Sequence, residues 1–294
     1  MMHLPLLFLM LFTVPQDTIH SPAMTDLVSA ERAFASMSVE RGIRESFMTF
    51  FGEDGISFQP GPVRYKETAR KRPPPQNPKA YTLNWWPISG DISASGDLGY
   101  TTGPYSLVDN TAAKRPTGYG YYFTVWTKEE GQSWKVALDI GISTNHAAIG
   151  ETAFRQAAPS GFRKTSAVTG DDPELKQAEQ SFGALSGTKG LMTAYRRYLG
   201  DGARLHREGS EPITETASLE QYMAGLVGQL ARWKVLFAAT AASNDLGYTY
   251  GSYETLKDSQ SVERGYFGRV WRRNSEGQWR IVADITNPLP ADQK

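Results

Sequence analysis

Apolar residues recur every three or four positions near the start of the chain, a pattern that predicts helices. The first helix would be capped by Thr25 or Asp26, and a second would cover Ser38–Phe51. The same pattern returns in the second half of the chain. The apolar positions of the four helices are Leu27, Ala30, Phe34 and Met37; Ile43, Phe47 and Phe50; Leu175, Ala178 and Phe182; and Leu191, Tyr195 and Leu199.

Each pair of helices precedes segments rich in Tyr, Trp, Val and Thr, which predict strands separated by glycine turns. Alternation along one strand places Tyr122, Thr124 and Trp126 on a common face. The last strand of each half has an apolar face, and Trp134 and Trp279 are predicted to pack in the cores of their own domains. That face contains Trp134, Val136, Leu138 and Ile140 in the first half and Trp279, Ile281, Ala283 and Ile285 in the second.

The two halves are copies of one domain. DLGYTTGPYSL in the first half returns as DLGYTYGSYETL, AERAF returns as AEQSF, and WKVALDI returns as WRIVADI, all in the same order. Two copies of this length exclude a solenoid, whose repeats span about 20–50 residues. We predict tandem domains over 24–143 and 172–290, joined by a linker over 144–171.

The segment before the strands differs between the copies. SLEQYMAGLVGQL predicts a third helix in the second copy. The basic, proline-rich RYKETARKRPPPQNPKAY predicts a loop or a broken helix in the first.

The amino-acid composition argues against several kinds of binding site. Apolar residues make up 40% of the chain, charged residues 21%, and the formal net charge is zero, so no overall field attracts nucleic acid. The chain has no cysteine, which excludes disulfides and thiolate ligands, and no histidine pair is spaced to bind a metal. We therefore expect no metal, no cofactor and no nucleic-acid partner.

The N-terminus carries LPLLFLMLFTV, an apolar run too short to span a membrane. With the small residues Ser21 and Ala23 behind it, the run is typical of a secretory signal over residues 1–23, cleaved after Ala23. We therefore predict an exported protein, periplasmic or secreted, with no membrane span in its mature form. The alternative is a disordered or packed N-terminal segment, because no lysine or arginine precedes the run.

The predicted order of elements in each copy resembles the cone fold of the nuclear transport factor 2-like superfamily. That order is two helices, a strand, a third helix and long antiparallel strands. DLGYTTGP and the terminal W-K-V-x-x-D-I resemble its branch of exported domains of unknown function, near the polyketide-cyclase-like (SnoaL-like) and ketosteroid-isomerase-like branches. The resemblance implies an α+β chain of two tandem cones, each a curved antiparallel sheet covered by about three helices around a pocket. It also implies an internal pseudo-dimer of the two sheets, but not a function.

Three side chains are candidates for catalysis in such a pocket. Asp139 and Asp284 hold equal positions in the last strands, where each is either a general base or half of a surface ion pair. His206 either shuttles a proton or faces solvent in the charged stretch RLHREG.

The remaining candidates would bind a ligand. Arg204 and Arg269 can hold an anionic or carbonyl group, although Arg269 can equally stack on a solvated face. The second copy has Arg204, His206 and Arg269 where the first aligns Ser57, Gln59 and Thr124, which predicts polar recognition in the C-terminal cone. The aromatic candidates are Trp85, Tyr100, Trp126, Tyr248 and Trp271.

Two functions remain open after these observations. The first is the binding of a small apolar or anionic molecule, or scaffolding, through the cone pocket. The second is an isomerase, lyase or hydrolase that acts on a small apolar ligand by acid–base catalysis. We favour binding, because no acid–base set repeats in both copies.

Overall fold

Two open sheets, each with its own helices, form the protein in its computed structural model, which describes residues 16–148, 152–158, 162 and 173–290. The elements of the first half are α1 (Pro22–Arg41), α2 (Ile43–Phe50), β1 (Phe51–Phe58), β2 (Pro62–Arg64), α3 (Tyr65–Arg70), β3 (Tyr81–Trp85), β4 (Ser89–Ile92), β5 (Leu98–Asp109), β6 (Gly118–Thr127), β7 (Lys135–Thr144) and β8 (Arg155–Gln156). Those of the second half are α4 (Pro173–Lys189), α5 (Leu191–Tyr198), β9 (Leu199–Arg207), α6 (Thr216–Gly225), β10 (Gln229–Thr240), β11 (Leu246–Lys257), β12 (Gln260–Arg273) and β13 (Trp279–Pro288). The predicted α+β fold of two tandem domains is confirmed.

The first helix begins and ends at different residues from those predicted. Ser21, not Thr25 or Asp26, caps α1, because its Oγ accepts the N–H of Met24 at 3.2 Å. The helix runs to Arg41 and stops at Gly42, whose φ of 97° favours glycine. The second helix therefore begins at Ile43 rather than at Ser38.

The predicted cleavage point, after Ala23, lies in the first turn of α1. The residues just before it contact the first sheet: Thr18 bridges Arg155, and the Asp17 carboxylate accepts the N–H of Phe154 at 2.8 Å. The apolar run of the predicted signal lies outside the described residues. Export therefore remains a prediction.

The two sheets share one topology. The first has the order β2-β1-β7-β6-β5-β4-β8, with β3 also paired to β5, and the second has the order β10-β11-β12-β13-β9. The long neighbouring strands are antiparallel as predicted, but β1 pairs with β7, and β9 with β13, in parallel. The strand β8 lies in the segment predicted to be a linker and pairs with β4.

A β-bulge near the start of each last strand decides which face its side chains occupy. Trp126 pairs with Val136, whereas Val125 pairs with Leu138, so Ala137 is an extra residue in β7. The same shift separates Ile281 from Ala283 in β13. The predicted single apolar face is therefore wrong, because residues before and after each bulge face opposite sides of the sheet.

Three hydrophobic clusters result from this arrangement. Trp134 and Val136 pack beneath α1, and Trp279 packs beneath α4, so both tryptophans lie in the cores of their own domains as predicted. After the bulge, Leu138 and Ile140 contribute instead to a third cluster shared by the two sheets. The sheets thus pack against each other through their convex faces, as expected of an internal pseudo-dimer.

Reciprocal contacts between two equivalent turns mark an approximate two-fold axis. The Asp245 carboxylate accepts the N–H of Ala94 at 2.9 Å, and the Asp97 carboxylate accepts that of Ala242 at 2.9 Å. The hydroxyls of Ser95 and Ser243, 148 positions apart, lie 2.8 Å from each other. A contact of residue i with j that is matched by one of j with i is the signature of two-fold packing.

Candidate functional site

A glutamate on the first helix of each domain lies at the centre of the cone. Glu31 and Glu179 are both 0% exposed. Sequence analysis matched them only as alignment anchors and did not propose them as functional. The signal was present, since Glu31 lies four residues after Leu27 and three before Phe34, on the apolar face of the helix.

In the N-terminal cone, Glu31 accepts three hydrogen bonds. The indole Nε1 of Trp85 donates at 2.5 Å, the Nε1 of Trp126 donates at 2.8 Å, and the Thr101 hydroxyl donates as well. Burial nevertheless raises the pKa of Glu31 to about 7, an effect that the three hydrogen bonds only partly offset. The protonated carboxyl is therefore favoured near neutral pH more than it is in an exposed glutamate.

Asp139 is the second carboxyl group of this cone. The bulge in β7 places it on the concave face, where the Thr124 hydroxyl donates to its Oδ2 at 2.7 Å. Burial raises its pKa to about 6. Within the described ranges, neither Asp139 nor Glu31 has an ion-pair partner, so two acidic groups share an uncompensated site.

Asp139 faces a cavity of about 310 Å³. The other lining residues are mostly aromatic or aliphatic, and the described ones include no lysine or arginine. The hydroxyl of Tyr122 is buried beside Glu31 and Thr101, so Tyr122 lines the cavity with other atoms of its side chain. The lining consists of Ile43, Phe47, Leu83, Trp85, Tyr105, Leu107, Tyr122, Asp139 and Gly141.

The C-terminal cone repeats the two carboxylates but adds a cation between them. Arg269, at the position of Thr124, donates to Glu179, and its Nε lies 3.3 Å from Asp284 Oδ1. Its guanidinium carbon lies 3.9 Å from the Trp233 ring and 4.2 Å from the Phe182 ring. Arg269 is 0% exposed, so its side chain fills the centre of this cone.

A second arginine completes the charge balance there. Arg207 donates to Asp284 at 3.0 Å, to Tyr195 at 2.9 Å and to Tyr222 at 2.7 Å. Burial alone would raise the pKa of Asp284, but Arg269 and Arg207 hold it below its ordinary value. A cavity of about 350 Å³ opens beside Arg207, whose N–H groups are already engaged.

The other candidate residues lie outside these cavities. His206 is fully buried between the domains, its Nε2 3.2 Å from the Thr102 hydroxyl, and burial lowers its pKa well below the ordinary value. It is not solvent-facing, and it stays neutral. Tyr100 and Tyr248 belong to the cluster between the sheets. Arg204 is half-buried on the strand that carries His206.

The alignment of His206 with Gln59 is off by one residue. Ile56 pairs with Leu138, and Arg204 pairs with Ala283, the counterpart of Leu138, so His206 corresponds to Phe58 and Arg207 to Gln59. A shift of one residue exchanges the two faces of a strand. This is why sequence analysis selected His206 and Arg204 and missed Arg207.

The tryptophan candidates divide into two groups. Trp126 and Trp271 are 0% exposed and donate to the buried glutamates instead of lining a cavity. Trp85 does line the N-terminal cavity. It is also not unique to the first copy, because Trp85 pairs with Tyr105 as Trp233 pairs with Tyr253.

Comparisons with known proteins identify similar structures only. No family model matches the chain, and no curated protein does. An NTF2-like protein of unknown function from Shewanella oneidensis is 14% identical, with a TM-score of 0.33 over 38% of this chain and 95% of its own. An NTF2-like protein with a cystatin-like fold from Novosphingobium aromaticivorans is 13% identical, with a TM-score of 0.34 over 41% and 83%. A protein of unknown function with a cystatin-like fold from Nostoc punctiforme is 11% identical, with a TM-score of 0.33 over 40% and 90%.

These similarities concern the fold and leave the function open. The element order and sheet topology of both halves confirm the predicted resemblance to the nuclear transport factor 2-like fold, in two tandem copies. In the described ranges, no cluster of side chains is arranged to hold a metal ion, and no helix is long and apolar enough to cross a membrane.

Proposed function

We propose that the N-terminal cone binds a small, mainly apolar molecule, and that Asp139 is its polar anchor. The observation that carries the proposal is the cavity of about 310 Å³, in which Asp139 is the one carboxylate among described lining residues that are mostly aromatic or aliphatic. Such a cavity, largely apolar with a few oriented polar groups, is typical of ligand sites. The C-terminal cone serves as its structural partner.

This proposal reverses the sequence-based expectation that polar recognition lies in the C-terminal cone. That expectation rested on Arg204, His206 and Arg269. Arg269 is fully buried between Glu179 and Asp284, and His206 lies between the domains. The guanidinium group of Arg269 is thus enclosed by the protein's own carboxylates and aromatic rings.

A cavity-filling variant tests the proposal. Leu107→Trp fills the N-terminal cavity, and Val262→Trp is a matched control in the C-terminal cavity. A panel of monocyclic aromatic alcohols, ketones and amines is screened by thermal shift and by NMR chemical-shift perturbation. We expect binding to persist in Val262→Trp and to disappear in Leu107→Trp. The reverse pattern, or no binding to the unmodified protein, would overturn the proposal.

The raised pKa of Asp139 favours proton transfer as a second candidate function at the same site. A carboxyl with a pKa of about 6 is ionised at neutral pH yet basic enough to remove a proton from carbon next to a carbonyl. NMR exchange of the α-protons of cyclic ketones into deuterated water checks this. Exchange at equal rates in the unmodified protein and in Asp139→Asn would exclude it.

We also propose that the protein is exported, on the basis of the apolar run LPLLFLMLFTV near its N-terminus. Because Ser21 caps α1 and Asp17 contacts the first sheet, cleavage before Asp17 would preserve the fold better than cleavage after Ala23. N-terminal sequencing of the protein from the periplasmic fraction of a bacterial host tests this. An intact N-terminus found only in the cytosol would contradict export.

A further inference from the structure

The two cones share a frame of acidic and aromatic groups. It holds a cation in the C-terminal cone and, among the described residues, none in the N-terminal cone. It consists of two carboxylates and three aromatic rings at equivalent positions. The frame is Glu31, Asp139, Phe34, Trp85 and Tyr122 in the N-terminal cone, and Glu179, Asp284, Phe182, Trp233 and Phe267 in the C-terminal cone.

The C-terminal frame contains a guanidinium group. The Arg269 group binds Glu179 on one side, approaches Asp284 on the other, and lies 4.6 Å from the Phe267 ring in addition to its other ring contacts. Carboxylates at the edges and aromatic faces around the group are the two kinds of partner that organic cations prefer. This cone therefore shows what the frame accommodates.

In the N-terminal cone, none of the described residues places a cation between the two carboxyl groups. Thr124 stands where Arg269 stands, and its hydroxyl reaches only Asp139. Trp85 donates to Glu31, whereas its counterpart Trp233 donates to Ser186. Two buried carboxyl groups without a positive partner are unfavourable, and a cation that enters the cavity beside Asp139 would relieve this.

We propose that the ligand of the N-terminal cone is a small organic cation, an alkylammonium or guanidinium compound with one aromatic or aliphatic ring. Its charged group would lie against Asp139, in the cavity that Trp85 and Tyr122 also line. This inference rests on the proposed ligand site and specifies its chemistry. It also replaces the expected anionic ligand, which Asp139 would repel.

The test is a series of three ligands of equal shape and different charge. The probes are 2-phenylethylammonium, 2-phenylethanol and phenylacetate, titrated into the full chain by calorimetry at pH 7.5. We expect the ammonium to bind at least about tenfold more tightly than the alcohol, and phenylacetate not to bind. Asp139→Asn should reduce the affinity of the ammonium to that of the alcohol.

The outcomes separate this inference from the proposed function. Equal binding of alcohol and ammonium, abolished by Leu107→Trp, would leave the ligand site in place and overturn the cationic ligand. Ammonium binding that is unchanged in Asp139→Asn would overturn it as well. If none of the three probes binds, both proposals are wrong.

A second variant introduces an arginine into the N-terminal cone at the position equivalent to Arg269. Thr124→Arg supplies a tethered guanidinium, and Thr124→Met is a control of comparable length without charge. We expect Thr124→Arg to bind no ammonium while it remains folded by circular dichroism. Ammonium binding that survives in folded Thr124→Arg would contradict the inference, and Asp139→Asn decides the question if the variant does not fold.

Discussion

The N-terminal and C-terminal cones have the same framework and differ at its centre. Both place a glutamate from the first helix and an aspartate from the last strand beneath the helices. In the C-terminal cone, Arg269 and Arg207 neutralise these two groups. In the N-terminal cone, Thr124 and Gln59 stand at the two arginine positions, and the acids have no cation in the described part of the chain.

Under the proposed function, one fold uses the same acidic pair for structure in one cone and for ligand recognition in the other. A buried ion pair neutralises its own charges, so neither member needs a charged ligand as a partner. Unpaired acids beside a cavity remain costly to the fold, and this unfavourable energy is available to a ligand that complements them. The acids of the N-terminal cone, which have no cation partner in the described part of the chain, are therefore where we place the proposed ligand site.

The largest expected effect is that of removing the buried cation. Arg269→Ala leaves Glu179 and Asp284 buried without their shared partner, and we expect the free energy of unfolding to fall by roughly 3–5 kcal/mol. Urea unfolding followed by tryptophan fluorescence measures the loss. Thr124→Ala at the equivalent position removes only one hydrogen bond and should cost about 1 kcal/mol. Similar losses in both variants would mean that the two centres do not differ as described.

The second prediction concerns pH, because the two cones should respond with opposite signs. The pKa of Glu31 rises on folding from 4.5 to about 7, so between these values the folded chain holds a proton that the unfolded chain has released. Asp139 acts in the same direction between 3.8 and about 6. Stability should therefore fall by roughly 3–4 kcal/mol from pH 5 to pH 7.5, with Glu31 contributing the larger share. The groups facing this pair are the hydroxyls of Thr101, Thr124, Tyr105 and Tyr122 and the indoles of Trp85 and Trp126.

Two variants separate the contributions to this pH dependence. Glu31→Gln should remove more than half of the fall in stability between pH 5 and pH 7.5, and the remainder comes from Asp139. Asp284 has a lowered pKa, so its contribution is present above pH 3.8 and is lost only in stronger acid. Asp284→Asn should therefore lower stability without changing the slope above pH 5. Urea unfolding at several pH values provides the measurement, and an unchanged slope in Glu31→Gln would contradict the assignment.

The smallest effect concerns the part of the molecule where the copies are alike. Asp97→Ala and Asp245→Ala each remove a hydrogen bond to the opposite turn, and we expect each to cost about 1 kcal/mol. Thermal unfolding should show equal shifts for the two variants. Unequal shifts would show that the pseudo-symmetry of the turns does not extend to their energetics.

The fold was predictable because duplication allowed each half to be checked against the other. The helix faces, the strand-rich ends and the cores of Trp134 and Trp279 were confirmed. The boundary between α1 and α2 was not found, because Gly42 ends the helix through a close approach to Pro78 that only the structure reveals. The parallel pairing of the first and last strands could not be predicted either. It joins segments far apart in the chain, and the spacing of apolar residues reports only on local structure.

The site was only partly predictable. Asp139 and Trp85 were among the candidates, but strict alternation could not show that the bulge at Ala137 turns Asp139 towards the cavity. Glu31 was overlooked because a glutamate in a helix is normally exposed. The basic residues of the second copy were read as ligand-binding groups, when Arg269 instead satisfies the protein's own acids.

The reciprocal contact of Ser95 with Ser243 has an evolutionary consequence. In an assembly of two identical chains, a single codon change alters both sites at once, so Thr and Arg could not stand at the central position of opposite cones. Covalent fusion of the copies removes this restriction while the interface between them is kept. Positions 124 and 269 can then carry different side chains, as Thr124 and Arg269 do.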